Sequence, residues 1–189
     1  MNGRLCDLVR FEIDRLFNGA VDVDWLQSDE AKASRAASAF VFHGPGTHGV
    51  ASSVAEGTGH RLIDTATFAA GVAADLANPG SRPFTLAIAS YGSGKSHLAV
   101  TLTELFSEPT GTTAKSVLHN IAKADAAISG QVEAALREIG GPVLVLTVNG
   151  MNNADLASVL LAQLKERIAA DGHSVEPLES LRQRFNIAA

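Results

Sequence analysis

The chain has 189 residues, of which 46% are hydrophobic and 19% charged, and its formal net charge is −5. This composition is typical of a folded chain with an apolar core and excludes an intrinsically disordered one. The negative charge argues against strong duplex DNA binding by this segment itself, because such binding relies on clustered Lys and Arg.

The N-terminal segment is predicted to be helical. Apolar residues recur near helical spacing over residues 4–18, and Gly19 follows where a left-handed C-terminal cap would lie. Charged residues are spaced through the same stretch, so it lacks the apolar run of a signal peptide or membrane anchor. Cys6 is the chain's single cysteine, which excludes an internal disulfide. We expect a cytoplasmic protein with no membrane partner.

Two further helices are predicted before residue 80. Ser28 or Asp29 can cap an alanine-rich helix over residues 29–38, because a side-chain oxygen there accepts from an orphaned backbone N–H. Thr65 can likewise cap a helix over residues 66–77.

Residues 78–83 contain two prolines and a glycine, which interrupt helices and favour turns, and they predict a domain boundary. Residues 1–80 then form a small, mainly helical N-terminal region, with short β-like runs at residues 40–42 and 61–63. Residues 81–189 form a second unit.

The second unit reads as strand, loop and helix. The apolar run 84–89 suits a buried strand, and an apolar helix through residues 98–106 follows a glycine-serine loop. Residues 113–128 and 131–139 are predicted to be connecting helices, divided near Ser129 and Gly130.

The best predicted strand is residues 143–148, which are rich in β-branched side chains. Asn152 or Asn153 can cap the next helix, which Gly172 closes and which should lie on the sheet. The pattern therefore predicts an α/β fold, a partial core with a parallel sheet flanked by helices, preceded by the mainly helical N-terminal region.

Residues 89–96, Ala-Ser-Tyr-Gly-Ser-Gly-Lys-Ser, have the spacing of a Walker A phosphate loop, with Ala in the first place, which is commonly Gly. Small residues are needed because successive backbone N–H groups must curl around phosphates, and Gly92 and Gly94 permit that curvature. The helix that follows would present its N-terminus to the anion. The predicted nucleotide-binding residues are Ser90, Tyr91, Gly92, Ser93, Gly94, Lys95, Ser96 and His97.

Two residues of this loop are predicted to carry its chemistry, with ATP and Mg²⁺ as the cofactors. Lys95 would reach the β- and γ-phosphates as the catalytic residue, and the Ser96 hydroxyl would bind Mg²⁺. Tyr91 could contact the nucleotide or only shape the loop, and His97 could contact the nucleotide or pack against the sheet.

A Walker B acid is missing from the predicted strands. The strand 143–149 ends at Asn149, whose amide carries no charge to hold a cation, and Asp155 reads better as a charge that favours the start of a helix. With two clear strands against the five or six of an open α/β sheet, we expect the N-terminal half of a P-loop NTPase domain. The chain alone is expected to bind ATP but to hydrolyse it poorly.

A competing pattern is residues 44–49, which read G-x-G-x-x-G, with Asp64 twenty residues beyond Gly44. The helix that should follow is broken by residues 57–59, so we interpret the pattern as a structural loop rather than a nicotinamide site. His43, His48 and His60 lack a matching Cys or carboxylate cluster, so we do not expect zinc.

Residues 90–98, together with the segment ahead of them and residues 143–150, resemble the large P-loop ATPases of bacterial antiphage defence islands. Examples are BREX-type phage-exclusion systems and phosphorothioation-linked restriction systems. The resemblance implies an AAA-like ATPase whose Walker B strand comes later in a longer polypeptide and whose partners are other defence proteins or further copies of itself. It also implies a role in recognising or restricting foreign DNA, reached indirectly or through downstream regions.

Two other functional classes remain open. A small-molecule P-loop kinase also uses Lys and Ser in such a loop, and would place phosphate on an acceptor. A non-catalytic interaction module would retain the loop as a vestige, and ATP would then fail to stabilise the native state.

Overall fold

The computed structural model describes residues 20–46, 63–81, 84–89, 92–148, 155–170, 172–178 and 180. Within these residues all regular secondary structure is helical, so the predicted α/β core with a parallel sheet is wrong. The helices are α1 (Trp25–Ser28), α2 (Glu30–Ala39), α3 (Thr65–Ala77), α4 (Lys95–Ser107), α5 (Thr112–Ala124), α6 (Ala126–Ile139) and α7 (Leu156–Ala170). The predicted helix 4–18 and the candidate caps Asn152 and Asn153 lie outside the described residues.

The first predicted strand, residues 84–89, has no regular secondary structure and is not part of a sheet. Its large side chains face solvent, with Phe84 88% and Ile88 71% exposed. An apolar run predicts burial under the assumption that neighbouring strands exist. The described residues supply no such neighbour, and the prediction of a buried strand is wrong.

In the second predicted strand, residues 143–148, backbone groups form hydrogen bonds with residues of two helices and not with a neighbouring strand. Val143 N donates to Phe106 O at the end of α4 (2.9 Å), and Thr147 N donates to Gln163 Oε1 of α7 (3.0 Å). Gln163 Nε2 in turn donates to Thr147 O. Helix α7 thus contacts a segment without regular secondary structure where the sequence predicted a sheet, and none of the residues of α7 is buried.

The β-like run 40–42 does not form a strand either. Phe40 and Phe42 are buried, and their rings meet edge to face at 4.8 Å. The backbone here bonds to side chains, since Asn120 Nδ2 donates to Phe40 O (3.1 Å) and His43 N donates to Thr65 Oγ1 (2.9 Å).

Aspartates begin the helices before residue 80. Asp29 accepts a hydrogen bond from Lys32 N (3.0 Å) at the start of α2, as predicted. For α3 the cap is Asp64, which accepts from Thr67 N (2.8 Å), and the predicted cap Thr65 is the first helical residue. The two oxygens of the Asp64 carboxylate accept from different groups, Oδ1 from the N–H and Oδ2 from the hydroxyl of Thr67.

The junction between α5 and α6 lies at Asp125, so the predicted division near Ser129 and Gly130 is wrong. The Asp125 carboxylate accepts from Ala127 N (2.8 Å) and Ile128 N (3.0 Å), which satisfies two orphaned donors of α6. Gly130 is tolerated inside α6 because it is exposed, although glycine lowers helix stability.

Helix α5 contacts three other helices, α2, α4 and α6. Helix α3 packs on α6, and α2 packs on both α4 and α5, so that α5 and α6, predicted as connectors, supply much of the buried surface. The core combines residues from both sides of residue 80. The domain boundary predicted over residues 78–83 stays a prediction. The largest fully buried side chains are Leu105, Ile121, Val100, Val117, Val132 and Thr101.

Candidate functional site

The predicted phosphate loop has the backbone conformation that its glycines allow. Gly92 has φ +76° and Gly94 has φ +83°, both in the left-handed region that side chains with a Cβ rarely adopt. A Cβ added at either position would meet nothing within 4 Å. The need for glycine therefore comes from the backbone conformation and not from crowding. Ser90 and Tyr91 lie outside the described residues.

Helix α4 begins directly at the end of this loop. Gly94 is its N-cap residue and has no side chain to accept from the first-turn N–H groups, and the first turn carries no acidic residue. Leu98 N donates to Gly94 O (2.9 Å), which closes the first helical turn. Ser96 is exposed on that turn. The positive end of a 13-residue helix thus faces outward beside the loop.

The Lys95 side chain folds back across the loop. Its Nζ donates to Ala89 O (2.8 Å) and to Ser93 Oγ (3.4 Å), so the ammonium bridges the start of the loop and its last turn. All three residues are exposed. An ammonium group has three donors, and exposed contacts of this kind exchange readily for phosphate oxygens. The Lys95 ammonium therefore lies across the loop.

His97 faces away from the loop, toward α2. Its Nε2 lies 2.6 Å from Ala36 O, and its ring meets the Phe40 ring edge to face, with centroids 4.9 Å apart. Sequence reasoning placed His97 either at the nucleotide or against a sheet. In the structure the packing partner is a helix end and an aromatic ring, which no periodicity in the sequence indicated.

Asp155 acts as the cap of α7. Its carboxylate accepts from Ser158 Oγ (2.8 Å) and from Ser158 N (2.9 Å), and these hydrogen bonds lower its pKa below the ordinary value. The interpretation of Asp155 as a charge at a helix start, and not as a Walker B acid, agrees with this geometry. Asn149 lies outside the described residues.

Sequence reasoning missed one acidic residue, Glu104 on α4. It is half-buried against α2, where Ser34 Oγ donates to its Oε2 (2.7 Å). Burial raises the pKa of Glu104, and the hydrogen bond from Ser34 opposes part of that shift. The position of an acidic residue in the middle of an apolar helix was the sequence feature that could have indicated Glu104. Nine residues separate it from Lys95, so it lies about 14 Å along the helix from the loop.

Two residues of the competing glycine pattern, Gly44 and Asp64, have structural roles. Gly44 is buried against the end of α5, and a Cβ there would lie 2.7 Å from Ala124 O. Asp64 caps α3 through Thr67. Residues 47–49 of the pattern lie outside the described residues.

Three results bear on the wider class of site. The described residues contain no group of three or more His, Cys, Asp or Glu placed to hold a metal ion, a statement that does not cover His48 and His60. None of the helices in the described part of the chain combines the length and apolarity needed to cross a membrane. No protein-family model, curated protein or solved structure matches this chain.

Proposed function

We propose that residues 89–96 bind the phosphate chain of ATP with Mg²⁺, and that the chain is the nucleotide-binding region of a larger ATPase in DNA-directed phage defence. The observation that carries the proposal is the loop itself. Two left-handed glycines lead the backbone into an uncapped helix N-terminus, with the Lys95 ammonium lying across the same loop.

Three features of the loop favour an anion with several negative charges. The helix N-terminus supplies N–H donors and the positive end of a dipole. The two glycines remove Cβ atoms from the path of an approaching phosphate. The Lys95 ammonium exchanges its exposed contacts with Ala89 and Ser93 for phosphate oxygens.

The residues present also suit the metal that accompanies ATP. Ser96 is exposed on the first turn of α4, next to Lys95, and its hydroxyl is the group that would ligate Mg²⁺. When bound, Mg²⁺ neutralises charge on the phosphates. Further ligands would come from the nucleotide and from water, since Mg²⁺ in such sites keeps several waters.

The role in defence depends on the resemblance carried by residues 90–98. In this role ATP binding and hydrolysis switch a larger assembly, whose other members are defence proteins or further copies of the chain. Because the net charge of −5 argues against strong duplex binding by the chain itself, the proposed role requires other regions or partners to contact DNA. Hydrolysis by the isolated chain is expected to be slow.

Calorimetric titration of the 189-residue chain with MgATP tests the proposal. Lys95→Ala should weaken binding by about tenfold to a hundredfold, the worth of a charge-assisted hydrogen bond. Lys115→Ala is the matched control, because Lys115 is exposed on α5 and its loss changes the net charge equally. The control should bind as the unaltered chain does.

Two outcomes would contradict the proposal. No binding at millimolar MgATP would favour an interaction module with a vestigial loop. Binding followed by transfer of phosphate to a small acceptor, with no free phosphate released, would favour a kinase.

A further inference from the structure

His97 supplies a hydrogen bond that the end of α2 lacks. The last carbonyl groups of a helix have no intrahelical donor. The Phe40 amide, which would bond to Ala36 O in a continued helix, donates instead to Ala37 O (3.2 Å). His97 Nε2 lies 2.6 Å from Ala36 O, and since a carbonyl only accepts, the imidazole is the donor.

A second side chain holds the same helix end from a different direction. Asn120 Nδ2 on α5 donates to Ser38 O (2.9 Å) and Phe40 O (3.1 Å). Only His97 is also part of the phosphate loop's own helical turn, two residues after Lys95. Movement of the first turn of α4 therefore changes a bond to α2 directly.

The contact between His97 and α2 includes packing as well as the hydrogen bond. The imidazole meets the Phe40 ring at an interplanar angle of 87°, and Phe40 in turn meets Phe42 at 71°. Both phenylalanines are buried. A shift of His97 would thus disturb a packed aromatic row, which resists small continuous displacements.

We propose that His97 is a positioning residue that couples nucleotide occupancy of the loop to the docking of α2. This inference rests on the proposed function of residues 89–96. By fixing the first turn of α4, His97 holds the loop's donors in place before the nucleotide arrives, which lowers the ordering cost of binding. Because coupling between two equilibria is reciprocal, bound nucleotide strengthens the docking of α2.

The chain offers a matched control on the same pair of helices. Ser34 Oγ of α2 donates to Glu104 Oε2 of α4 (2.7 Å), at a point remote from the loop. Ser34→Ala removes one polar contact between α2 and α4 without touching the first turn, whereas His97→Ala removes a hydrogen bond and the ring contact with Phe40. Comparing the MgATP affinities of the two variants distinguishes an effect on the position of the loop from a general weakening of the contact between α2 and α4.

MgATP affinity of the unaltered chain is compared by calorimetry with that of His97→Ala, His97→Gln and Ser34→Ala. His97→Ala should weaken binding by about fivefold or more, the usual range for coupled sites. Glutamine places an N–H donor near the position of Nε2, so His97→Gln should recover much of the affinity. Ser34→Ala should bind MgATP as the unaltered chain does.

Hydrogen exchange on the unaltered chain provides a second readout that needs no variant. Saturating MgATP should slow exchange of the amides of α2. Equal affinity in His97→Ala, or α2 exchange unchanged by MgATP, would overturn the inference. If His97→Ala does not fold, the exchange result decides. Absence of MgATP binding by the unaltered chain would instead overturn the proposed function.

Discussion

Replacing Gly94 with alanine tests the conformation of the phosphate loop without adding a clash. Gly94 has φ +83°, and a Cβ there would meet nothing within 4 Å. A left-handed conformation costs a residue with a Cβ about 1–2 kcal/mol. Alanine recovers about 0.4–1 kcal/mol by restricting the unfolded chain. The free energy of unfolding should therefore fall by about 1 kcal/mol.

Two other glycines serve as controls for this substitution. Gly140 ends α6 with φ +77°, and a Cβ there would meet only Glu138 O at 3.9 Å, so Gly140→Ala should cost about the same. Gly71 lies inside α3 without a positive φ, and its Cβ position is open. Gly71→Ala should stabilise the chain by about 0.5–1 kcal/mol.

Urea unfolding and MgATP calorimetry on the three variants give the assay. Gly94→Ala and Gly140→Ala should lose similar stability, while Gly94→Ala alone loses MgATP affinity, because the strained residue tends to relax and misplace the loop. Full MgATP affinity in Gly94→Ala would refute the requirement for a left-handed residue at this position. If Gly140→Ala also lost MgATP affinity, the effect of Gly94→Ala could not be assigned to the phosphate loop.

Two further predictions concern stability. Gly44→Ala should lower the free energy of unfolding by about 1–3 kcal/mol, because the new Cβ would lie 2.7 Å from Ala124 O. Gly46→Ala, with nothing within 4 Å, should leave stability within about 0.5 kcal/mol, and equal urea midpoints for the two variants would contradict the packing role of Gly44. Burial raises the pKa of Glu104 above its ordinary value of 4.5, so the folded chain holds this proton to higher pH than the unfolded chain. The free energy of unfolding should therefore decrease as pH rises from 4.5 through the folded pKa, and Glu104→Gln should remove that decrease and be at least as stable near neutral pH. A pH profile unchanged by Glu104→Gln would show that another group is responsible.

Two helices before residue 80 were predictable from the sequence because residues able to cap a helix precede them. Residues 29–38 and 66–77 match α2 and α3 closely, since both have an aspartate before their first turn. The junction at Asp125 was missed because Gly130 is the stronger helix breaker by propensity. An aspartate that caps two N–H groups outweighs a glycine that lies exposed inside a helix.

The parallel sheet was wrongly predicted because apolar runs indicate burial but carry no information on a partner strand. In residues 143–148 the end of α4 and the side chain of Gln163 take up backbone groups that a sheet would use. In residues 40–42 the side chain of Asn120 does the same. Competition from side chains at long sequence separation is invisible to local periodicity.

The candidate site was predictable in part. The spacing of Gly92 and Gly94 before Lys95 indicated a curved loop followed by a helix, and the structure has a loop with two left-handed glycines that leads into α4. The direction of His97 was not predictable, because its contact with Ala36 joins residues 61 positions apart in the chain. Helix packing, which places α2 beside α4, determines that contact.

Competition against bound MgATP tests most directly whether residues 89–96 recognise a phosphate chain. Magnesium tripolyphosphate, which carries the phosphates without the nucleoside, should displace MgATP from the unaltered chain, and adenosine should not. Lys95→Ala should weaken the binding of tripolyphosphate and of MgATP to a similar degree, by about tenfold to a hundredfold. Displacement by adenosine and none by tripolyphosphate would show that the nucleoside is bound and that the loop is not a phosphate site.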